Sequence, residues 1–162
     1  MAYFPVFVEI TGREILVVGG GHVAQRRVES LLPFHPSVTV VSPRMTARLE
    51  ALADQGRIRA ERRGWEEYAE HEGSTCFPWM VLAATDKKAV NRLAAAWGRE
   101  RGALVNTADD RAESDFYFPG LVKDGETVVA VTSGGGDHRL AARLTGWIRT
   151  HLAEAISGHG GP

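Results

Sequence analysis

The 162-residue sequence has a single cysteine, Cys76, so neither an intramolecular disulfide nor a multi-cysteine metal site can form within it. It has no surplus of either charge: 19 Lys and Arg stand against 20 Asp and Glu, a formal net charge of -1. Bulk attraction to nucleic acid or to an anionic membrane surface is excluded as its organising property. No apolar run approaches the roughly 18 residues of a membrane span. Met1 to Glu9 lacks the basic start and small-residue cleavage site of a secretory signal. The expectation is a reduced, cytoplasmic protein with no membrane and no nucleic-acid partner. Hydrophobic residues at 44% and charged residues at 24% rule out a disordered or fibrous chain. Glycine is the one abundant oddity, with 18 residues, several of them in runs.

Periodicity supplies the layout. Pro5 to Ile10 reads as an extended arm. Glu14 to Gly19, Val38 to Val41, Trp79 to Thr85 and Ala103 to Thr107 are short apolar, β-branched runs bounded by turn residues, the pattern of strands buried on both faces. Ile58 to Arg62 is a weaker strand. Helical spacing covers Val23 to Leu32, Thr46 to Gln55 and the stretch after Asp86 through Val90, Leu93, Ala94 and Trp97, and Trp65 to Glu72 reads as a helical turn. Strand–helix alternation predicts an α/β fold: a Rossmann-type parallel sheet with helices on both faces. After about residue 112 the pattern changes. Phe116 to Val122 and Thr127 to Thr132 flank an Asp124-Gly125 pair, a strong hairpin signal, and a helix follows over Arg139 to Ile156. The expected division is a nucleotide-binding domain over residues 1–112 and a hairpin-plus-helix module over 113–162, its tail Ser157 to Pro162 frayed. Fifty residues are few for an independent core, so the module is expected to pack on the first domain or on a second copy. Leu144, Trp147, Ile148 and Leu152 lie at helical spacing and suit such a contact.

The motifs sit at strand ends. Gly19, Gly21 and Ala24 fit G-x-G-x-x-(G/A) directly after a strand and opening a helix. There the first glycine makes the turn, the second admits a pyrophosphate and the third small residue packs helix on sheet. His22 and Val23 are expected to line the same place, chiefly through backbone. At the end of the second strand the acidic ribose ligand of many such sites is replaced by Ser42-Pro43-Arg44. Ser42 suits a hydroxyl and Arg44 a 2′-phosphate, which leaves NAD and NADP open. Thr85 ends the third core strand, where it can touch the nicotinamide half, and Asp86 is read as the N-cap of the next helix. Asp109 follows Asn106 at another strand end; a carboxylate there can take a proton as hydride leaves a substrate, although an Asp-Asp-Arg loop is also ordinary turn chemistry. Ser133, Gly134 and Gly135, with Arg139 and Arg143, make a candidate anion site at the last helix, unless Asp137 simply caps it.

Together these blocks resemble the precorrin-2 dehydrogenases, which occur alone or as the N-terminal part of sirohaem synthases. The resemblance is carried by Phe4-Pro5-Val6-Phe7, Ile15 to Ala24, Ala83-Ala84-Thr85-Asp86 with Val90-Asn91, Val105-Asn106 with Asp109, Phe116-Tyr117-Phe118-Pro119 and Val129 to Gly135, in order along nearly the whole chain. It implies NAD-dependent oxidation of precorrin-2 to sirohydrochlorin by a homodimer, with the hairpin module as dimer interface and wall of a tetrapyrrole site. By the same resemblance Asp109 is the catalytic aspartate, His22-Val23 and Pro43-Arg44 are cofactor contacts, and iron chelation accompanies dehydrogenation in some members. Two departures stand out. The family often reads Ser-Gly-Gly-Thr-Ser-Pro where this chain has Ser133-Gly134-Gly135-Gly136-Asp137-His138, so a serine phosphorylated in some members falls at Asp137. Many members also continue into a helical third module beyond the point matching Pro162, which leaves chelatase activity open. The alternatives from other classes are a dinucleotide-sensing module without chemistry and a tetrapyrrole-carrying dimer.

Overall fold

The apolar runs pair as parallel strands in the computed structural model, which describes residues 4–72, 77–134 and 136–157. The order along the chain is β1 (Glu14–Val18), α1 (His22–Leu31), β2 (Ser37–Val41), α2 (Ala47–Asp54), β3 (Arg59–Glu61), α3 (Trp65–Glu72), β4 (Met80–Ala83), α4 (Lys88–Glu100), β5 (Leu104–Thr107), β6 (Gly120–Asp124), β7 (Thr127–Val131) and α5 (His138–Ser157). A 3-10 turn at Leu32–Phe34 follows α1 and ends at His35, which is left-handed at φ 54°. Cys76, Gly135 and residues 158–162 lie outside the described residues.

The five parallel strands lie in the order β3-β2-β1-β4-β5, the doubly wound arrangement, and β6 and β7 form a separate antiparallel pair. The expected fold class is borne out. Register is set by burial on both faces: Val17 is level with Val40 of β2 and Leu82 of β4, all fully enclosed. Leu16, Val18, Val81, Ala83 and Val105 point to one face, where Trp65 and Tyr68 of α3 and Ala94, Ala95 and Trp97 of α4 cover them. The alternate residues Ile15, Val17, Val40 and Leu82 face the opposite side, and Ala24 and Val28 of α1 and Leu49 and Leu52 of α2 are equally buried. Among the charged residues Arg27 of α1 is also buried, and loss of solvent, followed by the neighbouring Arg26 charge, lowers its guanidinium to about 10.

Of the apolar series read in α4, Ala94 and Trp97 are buried and Leu93 is turned out. Leu93 is 52% exposed, and the buried line is Asn91, Ala94, Ala95 and Gly98. Close approach explains it: a Cβ on Gly98 would stand 2.8 Å from Val81 Cγ2, so the helix rests on the sheet through its smallest residues.

The chain divides into two compact units, Val8–Phe116 and a second that joins Met1–Phe7 to Tyr117–Pro162. In the second, Gly125 at φ 53° makes the hairpin turn and α5 packs on β6. Contact there is tight at Gly120, whose missing Cβ leaves room for Thr145, itself buried and donating to Ala141 O at 2.7 Å. Arg149 adds a bond to Leu121 O at 3.3 Å. The strand expected from Phe116 begins only at Gly120, because Asp115 and Phe116 are used against β5 instead, Asp115 N donating to Val105 O and Asn106 Nδ2 to Phe116 O.

Candidate functional site

The strand order reverses between β1 and β4, and in an open parallel sheet ligands enter at the carboxyl ends of the strands flanking that point. Those ends are Gly19 and Ala84. They meet closely: Ala84 N donates to Val18 O at 2.8 Å, and a Cβ on Gly19 would stand 2.5 Å from Ala84 O. Gly19 also sits at φ 123°, a conformation side chains disfavour, so the first glycine is required twice over.

Gly20 is required for a different reason. The turn after β2 folds over it, with Thr46 N donating to Gly20 O at 2.9 Å, and a Cβ on Gly20 would meet Arg44 O at 2.1 Å. Gly21 is the opposite case. It is extended at φ -83° and ψ -174°, precedes α1 without a side-chain cap, and a Cβ there would meet nothing within 4 Å. Two glycines are thus used up by protein contacts and the third fronts open space. The helix start behind it has free N–H groups and no acidic residue in its first turn, the requirement for a phosphate ligand. Beside it Val23 is 40% exposed, an apolar surface offered where a ligand would lie. Ala24, completely buried, permits the close helix–sheet contact expected of it. The residues therefore fit a dinucleotide pyrophosphate.

The second flank is the turn Ser42-Pro43-Arg44. Ser42 N continues the sheet to Glu61 O, and the Ser42 hydroxyl donates to Arg44 O at 2.7 Å. The serine thus shapes the turn and keeps only acceptor capacity for a ligand hydroxyl. Pro43 and Arg44 are exposed.

The third component gathers around Thr85. Asp86, expected to cap α4, does not: it is exposed, and the capping position falls at Lys87 without a side-chain bond. The Thr85 hydroxyl does that work, accepting from Lys87 N at 3.1 Å. The same hydroxyl donates to Asn91 Oδ1 at 2.7 Å, which also accepts from Thr85 N at 3.0 Å. Asn91 Nδ2 returns a bond to Thr85 O at 3.2 Å and donates to Asp109 Oδ1 at 2.7 Å. The structure thereby brings Thr85 and Asp109 together through a buried asparagine to which the sequence reading assigned no role. One signal pointed to it: a polar residue in line with Ala94, Ala95 and Gly98 on the face that an amphipathic helix turns inward.

Asp109 itself is exposed at the tip of the loop after β5. The loop is braced on both sides of it. Thr107 Oγ1 bonds Asp110 O, Ser114 Oγ donates to Asp110 O at 3.0 Å, and Asp110 Oδ1 accepts from Ala112 N at 2.9 Å. Asn106, which precedes Asp109 at the same strand end, is only 5% exposed, and its Nδ2 donates to Phe116 O at 2.7 Å. Its Nδ2 bond makes it a brace of this loop.

The remaining candidates belong to the second unit. Asp137 caps α5, its Oδ1 accepting from Leu140 N at 2.9 Å, and Ser133 Oγ donates to Asp137 O at 2.7 Å. Gly134 is left-handed at φ 63°, and Arg139 is exposed on the first turn. No helix among the described residues is long and apolar enough to cross a membrane.

A doubly wound sheet, a glycine turn at its switch point and an uncapped helix start define a dinucleotide-binding α/β protein. Residues 6–120 match the family described as "Putative NAD(P)-binding", and the chain belongs to that family. It is 36% identical over 155 residues to the siroheme synthase of Nitrosococcus oceani, covering 96% of this chain and 32% of that protein. To the siroheme synthase of Mannheimia succiniciproducens it is 37% identical over 144 residues, 89% of this chain and 29% of that protein. The chain thus spans about a third of the length of these relatives. Among solved structures it resembles SirC, a precorrin-2 dehydrogenase, with a TM-score of 0.73 and 25% identity over 92% of this chain and 71% of that one. The resemblance to precorrin-2 dehydrogenases read from the sequence is borne out.

Proposed function

We propose that this protein uses NAD to dehydrogenate precorrin-2 to sirohydrochlorin, with Asp109 as the proton acceptor. The observation that carries the proposal is the joining of Thr85 and Asp109 through Asn91 beside the glycine turn, within one unit and at one sheet edge. The precorrin-2 dehydrogenase likeness and the siroheme synthase relatives support the substrate. The oxidation removes a hydride from carbon and a proton from the macrocycle. Bound at the turn, NAD supplies the hydride acceptor. Gly21 and the free amides of α1 hold its diphosphate, with His22 and Val23 beside them, and the Ser42-Pro43-Arg44 turn flanks its adenosine half. Thr85 positions the nicotinamide end. Asp109, tethered through Oδ1, receives the proton on its other oxygen. The exposed Arg139 supplies positive charge suited to a substrate carboxylate, whereas the helix start beside it is taken by the Asp137 cap.

The active assembly is a homodimer in this proposal. In the second unit Phe4 is 87% exposed and Trp147 62%, large apolar surfaces of a kind that a second copy would cover.

An anaerobic assay of the purified chain with precorrin-2 and NAD, following NADH absorbance, tests the activity. Turnover is expected, and Asp109→Ala should lower kcat by about 10²- to 10⁴-fold, the usual worth of a general base, with NADH affinity retained. Binding of NADH without turnover by folded wild-type protein would favour the sensing alternative. Fe²⁺ added to the sirohydrochlorin formed tests metal insertion in the same cuvette.

A further inference from the structure

We infer that Asn91 is the positioning residue of the reaction: a buried carboxamide that locks the loop after β4 to the loop after β5 and thereby aims Asp109. The inference rests on the proposed dehydrogenation and adds a residue to it. Asn91 is 1% exposed on the first turn of α4. A carboxamide offers two N–H bonds and two lone pairs, and all four are taken: Oδ1 by Thr85 N and Thr85 Oγ1, Nδ2 by Thr85 O and Asp109 Oδ1. The assignment admits one orientation. Turned over, Oδ1 would face the Asp109 carboxylate and Thr85 O, while Nδ2 would face the Thr85 N–H, replacing three attractive contacts with repulsive ones.

A carboxylate at the exposed tip of a loop has free rotation about its side-chain bonds unless something holds it. Here the holder is rooted in the core: Asn91 lies in line with Ala94, Ala95 and Gly98, the residues that seat α4 on the sheet. The bond to Asp109 therefore transmits the rigidity of the helix–sheet contact to the reacting carboxylate through Oδ1, and leaves its second oxygen outside that bond. Thr85 is fixed by the same amide, so the two groups keep a constant separation. Partners that orient a reacting group in this way are worth about 10- to 100-fold in activity when removed.

The test is a double-mutant cycle of Asn91→Ala and Asp109→Ala, with Asn91→Asp as the isosteric variant. Asn91→Asp keeps the acceptor that Thr85 uses but removes the Nδ2 donor to Asp109 and to Thr85 O, setting a second carboxylate oxygen against both. Either Asn91 substitution should lower kcat by about 10- to 100-fold in the wild-type background, with KM for NAD changed far less. In the Asp109→Ala background the same substitution should cost far less, because the part of its effect that runs through Asp109 is already gone and only its hold on Thr85 remains. A second readout needs no turnover. In the free protein the Asn91 side-chain amide protons, assigned by their disappearance in Asn91→Asp, should exchange slowly with water and move in Asp109→Ala. Equal losses in both backgrounds, a pure KM effect, or amide protons that exchange as fast as surface ones would overturn the inference. If both Asn91 variants fail to fold, the protons are assigned through the Asn91 backbone resonances instead, and exchange in wild type and Asp109→Ala decides alone. Wild type that does not oxidise precorrin-2 sinks the functional proposal and this one with it; active wild type with active Asn91 variants sinks only this one.

Discussion

Three adjacent glycines do three different jobs, and single-residue substitutions separate them. Alanine at Gly20 places a Cβ 2.1 Å from Arg44 O, a backbone atom that must move. Overpacking of that kind costs about 1–3 kcal/mol, so Gly20→Ala should lower the unfolding midpoint and, by displacing the turn, weaken NADH binding. Alanine at Gly21 meets nothing and adopts the observed extended backbone freely. Gly21→Ala should change stability by less than about 1 kcal/mol, the scale of a helix N-cap exchange, yet weaken NADH at least tenfold where the pyrophosphate approaches. Thermal melts and NADH fluorescence titrations on both variants check this; equal binding losses explained by equal destabilisation would count against Gly21 as the phosphate contact. The G-x-G pattern picked out Gly19 and Gly21 because the motif is local. Gly20 was invisible to it, since the atom that forbids a side chain comes from residue 44.

At the scale of elements, strand runs were the most legible feature because a strand buried on both faces must be apolar throughout, whatever surrounds it. Helix phase was less so. Leu93 belongs to the apolar series of α4, but the sheet accepts Ala94, Ala95 and Gly98 and turns Leu93 out, a preference for closeness over size that only the facing Val81 and Val105 decide. The contact of α5 with β6 is equally specific. A Cβ on Gly120 would stand 2.3 Å from Thr145 Oγ1, so Gly120→Val should lift the helix from the hairpin. Limited proteolysis is expected to cut first within His138–Ser157 in that variant, while the Val8–Phe116 unit keeps its far-ultraviolet signal and its NADH binding. Simultaneous loss of both units would refute this reading.

At the scale of the whole molecule, the two units differ in how much apolar surface they enclose. The doubly wound unit buries its core residues to within a few per cent, whereas in the second Trp147, Leu144 and Leu140 of α5 and Phe4 and Phe7 of the arm remain exposed. A homodimer that covers them predicts a sedimentation mass of twice the chain, and Trp147→Glu should shift that equilibrium to monomer with NADH affinity unchanged; a monomeric wild type would discard the dimer. The sequence alone determined the parallel α/β architecture, the glycine turn and the aspartate at position 109. Each is written in neighbouring residues: apolar runs, a strand-turn-helix junction, a carboxylate just past a strand. Tertiary structure decided which groups stand beside that aspartate. Asn91 lies 18 positions away in the chain yet 2.7 Å away in space. No local pattern encodes that distance, because it follows from the crossing of α4 over the sheet.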